Sequence, residues 1–207
     1  MKETPTTDIR YLDTGHFEVK AEISEESQNI ESPLSQSDCV WYSLTIKERI
    51  KTKKSSRWII RVKLQKSKVC ILDDGTGKCE VQLSDIDFDL GANYEGKSGT
   101  FDNPTPEEQQ ALEKVGLDPK TLFGWNRTFR YEEYILRKGD ELYILGNCEP
   151  NPKPEYEMVM AGTSEKPLFV SDKSEADLIK KYEGKTWLFG FLIFLFLSLA
   201  VAVLIWT

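Results

Sequence analysis

Histidine and clustered cysteine are what this sequence lacks most. The only histidine is His16, and the four cysteines are scattered without a C-x-x-C pair. Zinc sites need clustered Cys and His ligands, so this composition argues against a zinc-binding ring. A Ser-His-Asp hydrolase would have to use His16, and no G-x-S-x-G motif accompanies it. We therefore expect no catalytic residue, no metal and no cofactor.

Long apolar runs are also absent, with one exception at the C-terminus. Residues 187–206 read WLFGFLIFLFLSLAVAVLIW and contain no charge. At about 1.5 Å per residue, a helix of this length spans the roughly 30 Å core of a bilayer. The sequence predicts a single transmembrane helix with Trp187 and Trp206 as interface anchors, and a buried core helix is the alternative. Basic residues precede the run, which favours a membrane protein whose large N-terminal domain is cytoplasmic: Lys180, Lys181 and Lys185.

The chain is acidic, with a formal net charge of −7, which disfavours non-specific nucleic-acid binding. Residues 47–68 are the exception, because they hold ten Lys and Arg residues and one acid, Glu48. A predicted hairpin places four of these cations at its tip: Lys51, Lys53, Lys54 and Arg57. A solvated hairpin, a contact with anionic lipid headgroups and a nucleic-acid groove, where Trp41, Tyr42 and Trp58 would stack bases, remain alternatives.

Period-two alternation and turn signals predict a mainly β domain with short strands. The predicted strands are residues 16–24, 40–46, 58–64, 69–73, 79–83, 131–136, 141–146, 156–161 and 167–170. Two small helices are expected, one opened by a capping box from Thr105 to Glu108 and one over residues 175–182. Glycine-containing turns at residues 73–77 and 139–146 favour an OB-like β-barrel. The expected organisation is a flexible segment over residues 1–14, a domain over 15–183 with an insertion at about 88–129, and the span at 187–206.

The D-D-G-T-G turn leaves two questions open. With a two-residue loop Cys70 would lie opposite Cys79, within reach of a disulfide, whereas a four-residue loop would offset the two thiols. The pair Asp73-Asp74 could hold a metal or act as an acid pair, but a hairpin turn is the simpler interpretation.

Four stretches, taken in order, resemble the GIDE domain, a family that includes membrane RING-type ubiquitin ligases and shorter prokaryotic relatives. They are residues 32–35 (SPLS) with 39–42 (CVWY), 71–77 (ILDDGTG), 129–136 (FRYEEYIL) with 139–146, and 167–175 (PLFVSDKSE). The resemblance implies a membrane-proximal module that binds partners and a link to membranes.

The resemblance does not extend to a RING, since the Cys and His residues of that module are missing. The first hypothesis is therefore a non-enzymatic, membrane-anchored binding or scaffold protein with an unknown protein partner. The second is a component or relative of an E3 ubiquitin-ligase system, and the third is a membrane-tethered OB-type nucleic-acid binder.

Overall fold

A computed structural model describes residues 6–173, except 85, 100, 122, 123, 154 and 164. The predicted helix at 175–182 and the predicted span with Trp187 and Trp206 lie outside the described residues. No helix within the described part is long and apolar enough to cross a membrane. The described residues up to Asp172 belong to one compact unit.

The described residues are mainly β, as the alternation pattern predicted, and they contain one of the two predicted helices. The strands are β1 (Gly15–Ile23), β2 (Ile30–Glu31), β3 (Asp38–Cys39), β4 (Trp41–Lys51), β5 (Ser56–Ser67), β6 (Cys70–Asp73), β7 (Lys78–Val81), β8 (Asp87–Asp89), β9 (Tyr94–Ser98), β10 (Phe129–Leu136), β11 (Glu141–Pro150), β12 (Met158–Ala161) and β13 (Phe169–Ser171). The helix is α1 (Pro106–Lys114), and a 3₁₀ turn covers Ile9–Tyr11.

Five strands close into a barrel, which confirms the predicted barrel. The order is β1-β6-β7-β12-β11, and β11 returns to pair with β1 over eight residue pairs. All pairings are antiparallel except β7 with β12. Alternate residues of each strand point inward, so Val19, Leu72 and Ile144 meet in a fully buried core. Burial of these apolar side chains supplies the main stabilisation of the barrel.

Gly146 is required where β11 bends past the loop that follows β12. A Cβ at this position would collide with the side chain of Leu168, which is completely buried in the barrel core. Glycine here lets the chain pack closely, as it often does at a barrel corner.

A second sheet, with the order β5-β4-β10-β9, is antiparallel throughout. One face packs against α1 and forms a separate core around Leu44, Phe129 and Leu112. The predicted capping box is present: Thr105 accepts from the Glu108 amide, and Glu108 accepts from the Thr105 amide.

The predicted insertion at about 88–129 is more than a helix. Its first part supplies β9 as an edge strand of the second sheet, while β8 pairs in parallel with β13. The sequence of β9, YEGKS, contains glycine and charged residues, so its strand character depends on pairing with β10 rather than on propensity.

The N-terminal segment is attached to the barrel over the residues described. Ile9 is buried in the barrel core, and its amide donates to the Asp74 carboxylate at 2.7 Å. The sequence had predicted a flexible segment over residues 1–14, because its polar composition gives no sign of this docking.

Candidate interaction surface

The face of the second sheet opposite α1 is open to solvent over the half distant from the barrel. Side chains of directly paired residues share a face of an antiparallel sheet. Lys47 pairs with Ile60 and Arg130, and Arg49 pairs with Trp58. We call this set the outer face: Lys47, Arg49, Trp58, Ile60 and Arg130.

A β-bulge at Arg61 creates this face. Val62 lies opposite Ile46, yet Ile60 lies opposite Lys47, so Arg61 is an extra residue in β5. The bulge directs Arg61 toward Glu48 on the helix side and reverses the alternation beyond it. Ile60 consequently points outward and is 57% exposed.

An aromatic-cation pair occupies the centre of the outer face. The Arg130 guanidinium lies 4.8 Å from the centroid of the Trp58 ring, a cation–π geometry. A partly exposed Trp beside exposed Arg and aliphatic side chains has the composition of a binding hot spot. Trp41 and Tyr42, the other candidates for base stacking, are buried, so core packing is their role.

The four predicted tip cations lie together at the end of the β4–β5 hairpin. Lys51 ends β4, Lys53 and Lys54 lie in the turn, and Arg57 is the second residue of β5. The pairing of Lys51 with Ser56 closes the turn, and all four residues are exposed. The predicted hairpin is confirmed, and its tip projects beyond the body of the sheet.

Carboxylates on the second sheet neutralise other cations. The buried Glu48 carboxylate lies 2.6 Å from Arg61 Nε and 3.3 Å from Arg127 Nε, and Lys47 pairs with Glu132 at 2.8 Å. Among the described residues no ion pair engages the four tip cations, so the positive charge at the tip is uncompensated by its neighbours.

Two exposed aromatic residues, which sequence reasoning missed, lie at the same end of the sheet. Phe101 is 100% exposed and Trp125 is 60% exposed. Phe101 follows β9 and Trp125 precedes β10, next to the end where β4 runs into its turn. The sequence offered one signal for an exposed Phe101: the residue stands alone among polar residues and a proline in the stretch TFDNPT.

The outer side of the barrel carries carboxylates that are paired with lysines. An open groove of about 360 Å³ runs along β7, lined by Gln28, Lys68, Glu80 and Gln82 among others. Glu80 accepts from Lys153 at 2.7 Å and from Asn151 at 3.2 Å. Burial raises the pKa of Glu80, but these hydrogen bonds outweigh it and leave the pKa below its ordinary value.

Asp73 and Asp74 build the turn, which confirms the simpler interpretation of this pair. Asp73 accepts from the Gly75 amide at 2.8 Å, and Asp74 accepts from the amides of Thr76 and Gly77 at 2.8 and 3.1 Å. Gly75 adopts a φ of 79°, which glycine tolerates. Both carboxylates are thus occupied by turn and N-terminal amides.

The loop between β6 and β7 is the four-residue alternative, and the thiols are offset. Cys79 lies opposite Leu72, and Cys70 lies opposite Val81. All four cysteines are free and buried. Burial raises the pKa of the Cys70 and Cys39 thiols to about 12, so they carry little thiolate at neutral pH.

Residues 91–98, GANYEGKS, match the G-x-x-x-x-G-K-S spacing of a phosphate-binding loop. The prediction of no cofactor did not take this match into account. The structure does not provide the required context, because such a loop joins a strand to a helix. Here Tyr94–Ser98 is itself a strand, and the Ser98 hydroxyl is buried against the Tyr131 hydroxyl at 2.8 Å. The spacing therefore arises without a phosphate site.

Residues 43–204 match the GIDE family, whose description is E3 ubiquitin ligase. The match covers more than three quarters of the 207 residues. The chain belongs to the GIDE family. No curated protein and no solved structure matches the chain.

Two of the stretches on which the GIDE resemblance was based are joined in the fold, although residues 32–35 and 39–42 precede the matched residues 43–204. Residues 32–35 form a loop held by Glu133, whose two carboxylate oxygens accept from the amides of Leu34 and Ser35, each at 2.9 Å. Glu133 is fully buried on β10. The loop and the 129–136 stretch of the GIDE domain are therefore two parts of one contact, between residues almost a hundred positions apart.

Proposed function

We propose that this protein is a non-enzymatic, membrane-anchored scaffold whose GIDE domain binds a protein partner through the outer face of the second sheet. One observation carries the proposal: the outer face leaves Ile60 57% exposed beside the Arg130 guanidinium, which is exposed, and the Trp58 ring, which is partly exposed. Monomeric proteins usually cover such groups, and binding surfaces use them.

The chemistry of the outer face indicates the character of the partner. Arg49 and Arg130 flank an apolar centre made by Trp58 and Ile60, whereas Lys47 is already paired with Glu132. A partner with a small apolar projection flanked by carboxylates would complement both features. Edge strand β5 adds a further cation on the same side, the exposed Lys63 opposite Thr45.

A non-enzymatic role is supported by how the reactive side chains are used. Asp73 and Asp74 hold a turn, and the cysteines are buried with raised pKa values. The pKa of His16 is lowered by burial and by the nearby Lys166. None of these groups is presented to solvent as an activated nucleophile or base.

Membrane attachment rests on the apolar run at residues 187–206 and on the family assignment. The basic residues before that run support a cytoplasmic domain on a single-pass protein. Extraction of membranes with alkaline carbonate is the direct test: the full chain should stay with the membrane, and a chain ending at residue 173 should be released. Digestion of the domain by protease added outside intact cells would contradict the cytoplasmic orientation.

The partner proposal calls for purification of the full chain in mild detergent, followed by identification of co-purifying proteins. Replacing Trp58 and Ile60 with Glu should abolish the co-purification of a specific partner. The matched control is Lys20→Glu, because Lys20 is an exposed barrel residue remote from the outer face. Equal recovery of every partner with both variants would refute the assignment of the outer face.

The ligase hypothesis has one observation in its favour, the description of the GIDE family. In that case the protein would be a component that acts with a separate ligase subunit. Ligase components among the co-purifying proteins, lost in the Trp58/Ile60 variant, would identify this role and keep the outer face as the binding surface.

The nucleic-acid hypothesis derives from the OB-like architecture, since a five-stranded barrel is the OB strand number. OB folds bind oligonucleotides over strands two and three, which correspond to β6 and β7 here. That region carries the groove with Glu80, and Glu26 lies beside it, bonded to Lys78 and Tyr156. Glu80 and Glu26 pair with Lys153 and Lys78, which takes up the positive charge that phosphate binding would need here, so this hypothesis is the least supported.

A further inference from the structure

The far end of the second sheet combines two features that are usually separate, exposed cations and exposed aromatic rings. The cations are Lys51, Lys53, Lys54 and Arg57, and the rings are Phe101 and Trp125. We call these six residues the tip. They come from three segments of the chain, namely the β4–β5 turn, the loop after β9 and the residues before β10.

Hydrogen bonds hold these segments together at one end of the sheet. The Arg49 amide donates to the Thr128 carbonyl at 2.8 Å, which joins the approach to β10 with the base of the hairpin. Asn126 donates to Asn103 at 2.6 Å, which joins the two loops that carry the rings. The turn residues beyond Arg49 then extend about 10 Å further, at roughly 3.3 Å per residue.

The charge at the tip is not cancelled locally. Glu48, the one acid of residues 47–68, is buried and held by Arg61 and Arg127. Asp102, next to Phe101, is the carboxylate nearest the rings along the chain. A projecting basic surface on a chain with net charge −7 would favour an anionic partner and orient the domain toward it.

We infer that the tip docks onto an anionic lipid surface, with Phe101 and Trp125 entering the interface and the cations contacting headgroups. Aromatic rings beside Lys and Arg are the composition of interfacial membrane contacts. A single-stranded nucleic acid would also use cations and stacking rings, but such proteins place them in a groove that follows the strand, whereas these six residues lie at a projecting end of the sheet. None of residues 187–206 takes part in this proposed contact.

The test uses residues 1–173, because the described strands, α1 and the cores of the barrel and of the second sheet lie within them. Far-UV circular dichroism and a cooperative melt establish that each variant is folded. Co-sedimentation is measured with vesicles of phosphatidylcholine alone and of phosphatidylcholine with phosphatidylserine. We expect binding to the anionic vesicles alone, weakened by added salt.

Three variants assign the contact. Lys53→Glu with Lys54→Glu should lower the partition coefficient at least about tenfold, because each cation contributes substantially near an anionic surface. Phe101→Ala with Trp125→Ala should lower it several-fold while leaving the salt dependence intact. Lys66→Glu with Lys68→Glu is the control, since it makes the same charge change at the opposite end of β5.

Each remaining outcome overturns the inference. Equal binding to neutral and anionic vesicles would show that the cations do not contribute to binding. An equal decrease of the partition coefficient in the Lys66/Lys68 variant would show that the tip is not the contact. A shift with single-stranded oligonucleotide, without vesicle binding, reassigns the tip to nucleic acid. The shortened chain used in this test ends at residue 173 and does not contain the predicted anchor. Failure of the vesicle test would therefore count against the tip alone, and failure of the carbonate extraction would count against the anchor alone.

Discussion

Replacing Glu133 with Gln should destabilise the domain without altering any surface. Glu133 is fully buried and accepts two hydrogen bonds, from the amides of Leu34 and Ser35, each at 2.9 Å. Gln keeps one acceptor oxygen and turns an NH₂ group toward the second amide. The variant therefore loses one charge-assisted bond and leaves one buried N–H without an acceptor.

The magnitude follows from these two losses. A hydrogen bond to a charged group contributes about 1.5–3 kcal/mol, and an unsatisfied buried donor costs about 1–3 kcal/mol. Removing a buried charge recovers part of this, because desolvation of the carboxylate no longer opposes folding. The net expectation is a decrease of about 2–4 kcal/mol in the free energy of unfolding, or roughly 5–15 °C in Tm.

Glu132→Gln is the matched control, one residue earlier on the same strand. Glu132 lies beside the outer face on the same side of the sheet and pairs with Lys47 at 2.8 Å, with both side chains partly exposed. A pair of this kind contributes about 0–1 kcal/mol. Urea unfolding of residues 1–173, followed by tryptophan fluorescence, measures both variants, and amide exchange at Leu34 and Ser35 reports the loop directly. Similar stability of the two variants, or unchanged exchange at both amides, would refute the clamp.

Three further predictions concern the turn, the thiols and an edge glycine. Burial raises the pKa of Asp74, but hydrogen bonds from the Ile9, Thr76 and Gly77 amides and from the Thr76 hydroxyl outweigh it and leave the pKa below its ordinary 3.8. The stabilisation of the fold by the Asp74 carboxylate is therefore present above pH 3.8 and is lost as the pH falls through the lowered pKa. Asp74→Asn should flatten this acid dependence in urea titrations at successive pH values. All four thiols should react with a maleimide only after unfolding, and rapid labelling of any one in the native state would contradict their burial. Gly96→Ala places a methyl against Glu108 and Tyr94 and should cost about 1–3 kcal/mol in thermal melts.

Most strands could be predicted because their signals are local. Alternation identified β1, β4 and β11 within a residue or two at their N-terminal ends, and Thr105 with Glu108 identified the start of α1. β9 was missed because an edge strand containing Gly96 has weak propensity and depends on its partner. The bulge at Arg61 was also missed, since an extra residue in a strand is visible only against the opposing strand.

The candidate surface could likewise be predicted only in part from the sequence. The four tip cations were apparent as a charge cluster, because composition reveals a local excess of one sign. Phe101 and Trp125 were not apparent, since exposure of an apolar side chain depends on what the rest of the chain leaves uncovered.

The sequence by itself determined the class of the domain, its GIDE membership, the predicted apolar span and the basic hairpin, since each is encoded in consecutive residues. Only the tertiary structure decided that Glu133 holds the 32–35 loop, that Asp73 and Asp74 serve a turn, and that three segments meet at the tip. Those contacts join residues far apart in the chain. Their geometry follows from strand register and packing, which no local pattern specifies.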